Sequence, residues 1–177
     1  MKIAYLHASP KYWDNRIFDL NESPRDNIFE PFVQLKKYLE SKTHLINTHD
    51  YYSIQDKIDI LIVNRFGFYL REIFNIINNN PQIRIIYRVS EEENIEPLHN
   101  KYFLKNTLFD AIITFRDDMV DGKYFLKYFY QSPFSIFQNN IAFSDKKYLT
   151  IINSYKYQKN KNPSDLYGDR IKAIKYF

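Results

Sequence analysis

Three consecutive acids, Glu91, Glu92 and Glu93, follow the β-branched run IRIIYRVS, residues 83–90. A carboxylate fixed at the end of a buried strand suits general-base work. It takes the proton of a hydroxyl, a weak nucleophile until deprotonated, as the new bond forms. Like charges on adjacent glutamates raise the pKa of whichever one acts, and partial burial adds to the effect, so proton uptake near neutral pH is favoured. The ordinary alternative is a solvated acidic loop that caps the next helix. Other reactive groups are few. There is no cysteine, hence no disulfide framework, thiolate metal site or thiol nucleophile, which fits a reducing cytoplasm. His7, His44, His49 and His99 lack metal-ligand spacing. His49 and Asp50 directly follow a predicted strand, where a structural or solvent-facing role is the simpler reading. No glycine-rich phosphate loop, nucleophile elbow or zinc helix motif is present, so no cofactor or metal is expected.

Positioning such a carboxylate requires a frame, and the apolar pattern supplies one. KIAYLH, residues 2–7, is a continuous apolar run suited to a strand buried on both faces. HLINT, KIDILIVNR, IRIIYRVS and Ala111 to Phe115 are further strands. Between them, Phe29, Phe32, Leu35 and Leu39 form one stripe of an amphipathic helix. Pro31 belongs in a first turn, so this helix starts near Glu30. FYLREIFNIINN is a second helix. Strands alternating with helices predict an α/β domain with a largely parallel sheet, whose ligands bind outside the carboxyl ends of the strands. Asn64, Glu91 and Arg116 all fall at such ends. The acid-rich TFRDDMVDGKYF reads as a solvated turn, with Asp121-Gly122 at its tip.

The chain has 177 residues and a net charge of +4, enough for one ordinary domain. That mild charge suits phosphorylated ligands or an anionic membrane surface and is too small to argue for nucleic acid. No apolar run approaches the ~20 residues of a membrane span, and the N-terminus lacks the apolar core of a signal peptide. A cytoplasmic protein is expected, compatible with peripheral association with the inner membrane. The C-terminal part differs in character. The strand KYLTIIN and the loop SYKYQKNKNPS lead to the helix DLYGDRIKAIKYF, for which Ser164 is a suitable N-cap. Leu166, Ile171, Ile174 and Phe177 give that helix an apolar side. The expected division is a Rossmann-like domain over 1–140 and the first strand–helix unit of an incomplete second domain over 141–177.

In this order the blocks RDNIFEPFVQLKKYLESKTHLINTHD, SEEENIEPLHN, FDAIITFRDDMVDGKYF and KYLTIINSYKYQKNKNPSDLYGDRIKAIKYF resemble the N-terminal part of bacterial family 10 glycosyltransferases, the α-1,3-fucosyltransferase family. The resemblance covers nearly the whole chain, and its last two blocks are the most specific. It implies a GT-B architecture of two Rossmann-like domains facing a cleft. The N-terminal domain receives a glycan acceptor and supplies the catalytic carboxylate, and the C-terminal domain holds GDP-fucose. Transfer inverts the anomeric carbon. The family pattern of Glu, Ile four on and Pro six on falls on Glu91, Ile95 and Pro97, which makes Glu91 the candidate base. Glu92 is second, because the crowded acids stand where relatives have Glu-Ser. Asn64 and Arg116 are the acceptor-side candidates, and Asn153, Lys156 and Arg170 the donor-side ones. The family's later acidic donor signature does not occur in these residues, so donor binding is expected only together with a complete C-terminal domain. Two rivals stand beside this expectation. One is a non-catalytic carbohydrate- or partner-binding module on the same fold; the other is an unrelated α/β regulatory domain.

Overall fold

The computed structural model describes residues 1–23, 28–64, 69–90, 99–105 and 108–128, with Lys172, Lys175 and Tyr176. The chain forms two compact units, Met1–Ser135 and Ile136–Phe177, and nearly all described residues belong to the first. Six strands, β1 Lys2–Leu6, β2 Leu45–Thr48, β3 Ile60–Asn64, β4 Arg84–Arg88, β5 Ala111–Thr114 and β6 Phe125–Lys127, form one sheet in the order β2-β1-β3-β4-β5-β6. Every neighbouring pair is parallel. Three helices accompany them: α1 Glu30–Ser41, α2 Leu70–Asn79 and α3 Lys101–Lys105. This is an α/β fold of the Rossmann-like kind.

Successive strand side chains point to opposite faces, and the two cores follow that period. Ile3 and Tyr5 pack with Ile46, Ile17, Phe18 and Phe29 on the α1 side. Ala4, Leu6, Leu61, Val63, Ile85, Tyr87 and Ile112 pack with Ile73 of α2 and Leu104 of α3 on the other. Strand β1 is therefore buried on both faces, as its apolar run requires. Helix α1 begins at Glu30 with Pro31 in its first turn. Its inward stripe differs from the expected one: Val33 is buried and Leu35 is exposed. At 3.6 residues per turn, positions 29, 32, 33 and 39 share a face, and 35 has rotated off it.

Each crossover has a distinct form. Helix α1 links β1 to β2 on one face, and α2 links β3 to β4 on the other. The β2–β3 connection, residues 49–59, has only a short 3-10 turn, His49–Tyr51. Residues 115–124 join β5 to β6 with another, Asp117–Met119. Side chains pin the N-terminal edge of the sheet. Asp59 accepts from the Lys2 backbone N–H at 2.7 Å, Asp110 from that of Ile85 at 2.6 Å, and Asn80 from that of Ile58 at 2.8 Å. Among the described residues no helix is long and apolar enough to cross a membrane.

Candidate functional site

Chain direction puts the ends of all six strands at one edge. The connection leaving β1 turns toward the α1 face and the one leaving β3 toward the α2 face, so a crevice opens between them. Open α/β sheets bind ligands at such a switch point. Asn64 closes β3 at this place. It is only 5 % exposed, and its side-chain Oδ1 is buried without a hydrogen-bond partner. A buried carboxamide oxygen left unpaired costs roughly 1–3 kcal/mol, so a donor is wanted there.

The register sets Asn64 opposite Arg88, the last residue of β4. The Arg88 guanidinium lies over two aromatic rings, 5.5 Å from the centroid of Phe32 in the first turn of α1 and 5.1 Å from that of Tyr128, just past β6. Both rings are held. The Tyr128 hydroxyl donates to the Val89 carbonyl at 2.8 Å, and Phe32 meets Tyr5 edge to face at 5.5 Å. Among the described residues Arg88 makes no hydrogen bond and no ion pair. Arg88 does not belong to the sequence-derived candidates. The signal for it is its place: a cation on the face-alternating pattern of an interior strand, at the carboxyl end, one strand from Asn64.

Arg116 also reaches this edge, two residues beyond β5, but its charge is committed. Its Nε and Nη2 donate to the Asp118 carboxylate at 3.1 and 2.6 Å. The guanidinium holds the Asp118 carboxyl below its ordinary range. Lys127 is likewise spent on the Phe115 carbonyl and the Asp117 carboxylate. The DG turn that follows does more than expose acids. Asp121 Oδ1 accepts from the backbone N–H groups of Lys123, Tyr124 and Phe125, each at 2.9 Å, which lowers its pKa and sets the start of β6. Gly122 takes φ of 73°, the left-handed conformation that glycine tolerates best. Strand β4 leads through Val89 and Ser90 toward Glu91 and Glu92, and those two candidates lie outside the described residues. So do Asn153, Lys156 and Arg170.

A second polar group sits beside β2. The His49 ring meets Trp13 edge-on at 4.5 Å, and Trp13 meets Tyr69 at 5.3 Å. Its Nδ1 has no hydrogen-bond partner and lies 3.7 Å from the Asp50 carboxylate. Burial lowers the imidazole pKa, and the opposing charges of Asp50 and Glu72 do not outweigh it. His49 borders a cavity of about 270 Å³ that also touches Glu72 and Asn75 and opens where the β2–β3 connection lacks a helix.

A wider groove, about 900 Å³, lies at the opposite, N-terminal edge, between residues 54–60 and 79–84. Its buried and half-buried polar groups Asp56, Asp59 and Asn80 are already paired. Asp56 bonds Lys2 at 2.6 Å, which with the Ser53 contacts lowers its pKa to about 2, and Asn80 joins Ile58 to Ile76. Size favours that groove and unmet chemistry favours the C-terminal edge; the unmet chemistry is the stronger indication of a ligand. Among the described residues no group of three His, Asp or Glu side chains is placed to hold a metal. No family model, curated protein or solved structure matches this chain.

Proposed function

We propose that this chain forms the acceptor side of an inverting glycosyltransferase of the fucosyltransferase kind, built on the GT-B plan. The observation that carries the reading is the carboxyl edge of the parallel sheet. There Asn64 Oδ1 and the Arg88 guanidinium have no hydrogen-bond partner among the described residues, and β4 leads in sequence toward Glu91. The ordered resemblance of the sequence blocks supports the same reading. In it, an acceptor hydroxyl lies at this edge, and Glu91 takes its proton as the oxygen attacks the anomeric carbon of the donor sugar. The bond to the leaving nucleoside diphosphate breaks on the opposite face, and the configuration inverts. Asn64 and Arg116 serve the acceptor, with Glu92 as the second candidate base. Asn153, Lys156 and Arg170 belong to the donor side, where a lysine meets a diphosphate as a point charge. No metal enters this scheme.

A transfer assay with labelled GDP-fucose and acceptor oligosaccharides tests the reading directly. Transfer with inversion, lost in Glu91→Gln, supports it. Glycan binding without transfer from any nucleotide sugar would instead favour a carbohydrate-binding module on the same fold.

A further inference from the structure

The Arg88 side chain does not have the surroundings of a simple brace. A guanidinium stacked on aromatic rings uses its faces for that contact and leaves its N–H groups directed outward in its own plane. Arg88 rests on Phe32 and Tyr128, whose rings are fixed by Tyr5 and by the Val89 carbonyl, and among the described residues its donors meet neither hydrogen-bond acceptor nor carboxylate. Arg116 and Lys127, the cations after β5 and in β6, both have acidic partners. One strand away, at the paired register position, the buried Asn64 Oδ1 lacks a donor. The two vacancies are complementary. Arg88 offers donors and positive charge, whereas Asn64 Oδ1 offers an acceptor.

We propose that Arg88 and Asn64 form a subsite for an acidic sugar, one whose carboxylate or phosphate lies against the Arg88 guanidinium while a hydroxyl donates to Asn64 Oδ1. A neutral sugar satisfies Asn64 but leaves the guanidinium donors to water, and a simple anion does the reverse. A polyol bearing an anionic group meets both. The planar fork of arginine matches a carboxylate or a phosphate in two-point contact. Rings that already hold the guanidinium reduce the ordering cost of binding. This inference rests on the acceptor-side reading for its biological setting, although the subsite itself is defined by described residues alone.

The experiment is a titration of the full chain, labelled with ¹⁵N, with glucuronate, glucose 6-phosphate, glucose, acetate and inorganic phosphate. The Arg88 Nε–H resonance and the Asn64 side-chain amide signals are followed. Both acidic sugars should move the Arg88 and Asn64 signals together, with glucose about tenfold weaker or more, the usual scale for one charge-assisted contact. The tighter of the two identifies the anion as carboxylate or phosphate. Arg88→Met, which keeps an unbranched chain on the rings, should remove the preference for acidic sugars, and Arg88→Lys should retain part of it. Equal binding of glucose and glucuronate, or a preference that survives in Arg88→Met, would overturn the subsite. So would absence of any shift at Arg88, or acetate and phosphate binding as well as the acidic sugars. If neutral and acidic acceptors are fucosylated alike, the subsite fails and the transferase reading stands. If acidic sugars bind through Arg88 but no transfer occurs, the transferase reading fails and the subsite stands.

Discussion

A glutamate that removes a proton during transfer has a measurable signature. Glu91→Gln should lower turnover by about 100-fold, the usual scale for a general base, while leaving the KM for donor nearly unchanged. Initial rates with both substrates varied will show it; unaltered turnover, or a comparable loss confined to Glu92→Gln, moves the role elsewhere. His49 makes a prediction that concerns the fold rather than the chemistry. Its pKa lies below the ordinary 6.5 because burial disfavours the imidazolium. The unfolded state therefore binds the proton more readily, and stability is fully present above about 6.5 and falls as pH drops through that value. Thermal melts between pH 7.5 and about 5 should show this acid-side loss, and His49→Phe should flatten it. An unchanged slope in His49→Phe would assign the loss to other groups. At this scale the sequence was only partly legible. Strand-end position singled out Asn64 and Arg116 correctly as edge residues. It could not reveal that Asp118, two residues on, occupies the guanidinium of Arg116, nor that the rings of Phe32 and Tyr128, 96 residues apart in the chain, converge on Arg88.

Elements were easier to foresee than contacts, because hydrophobic period is local and pairing is not. The five strands and two helices expected within residues 1–116 are present, with Pro31 marking the start of α1 as its missing N–H requires, whereas the expected strand KYLTIIN and the helix after it lie outside the described residues. Two elements were not foreseen. Helix α3 is short, and β6 hides in the aromatic segment YFLKYFY, where no alternation distinguishes three strand residues from their neighbours. What sets β6 is Asp121, whose carboxylate gathers three backbone donors; an acid before an aromatic run looks like an ordinary turn until the chain is folded. The tie between the end of α2 and the segment entering β3 depends on another single polar side chain. Asn80 is buried, takes the Ile58 N–H and donates to the Ile76 carbonyl at 3.0 Å. Asn80→Ala leaves both backbone groups unmet and should cost about 2 kcal/mol, read from urea unfolding. Loss below about 0.5 kcal/mol would show that water replaces the carboxamide without penalty.

Across the whole sheet, the strand order places the chain's first strand in the interior, between β2 and β3, while β2 and β6 form the two edges. Amide exchange should therefore be slowest in β1, β3, β4 and β5, where each strand has partners on both sides, and fastest in β2 and β6. Equal protection of β6 and β3 would count against β6 as an edge strand. The same arrangement sends the chain start to the side of the sheet away from its carboxyl ends. Met1 is half exposed there and borders the wide groove, and its carbonyl accepts from the Leu45 N–H at 3.0 Å, so the terminus itself is held in place. For anyone immobilising this protein, a fusion tag or surface linker joined at Met1 leaves from the back of the molecule. The carboxyl ends of the strands, with Arg88 and Asn64, then lie on the side of the sheet away from the attachment point.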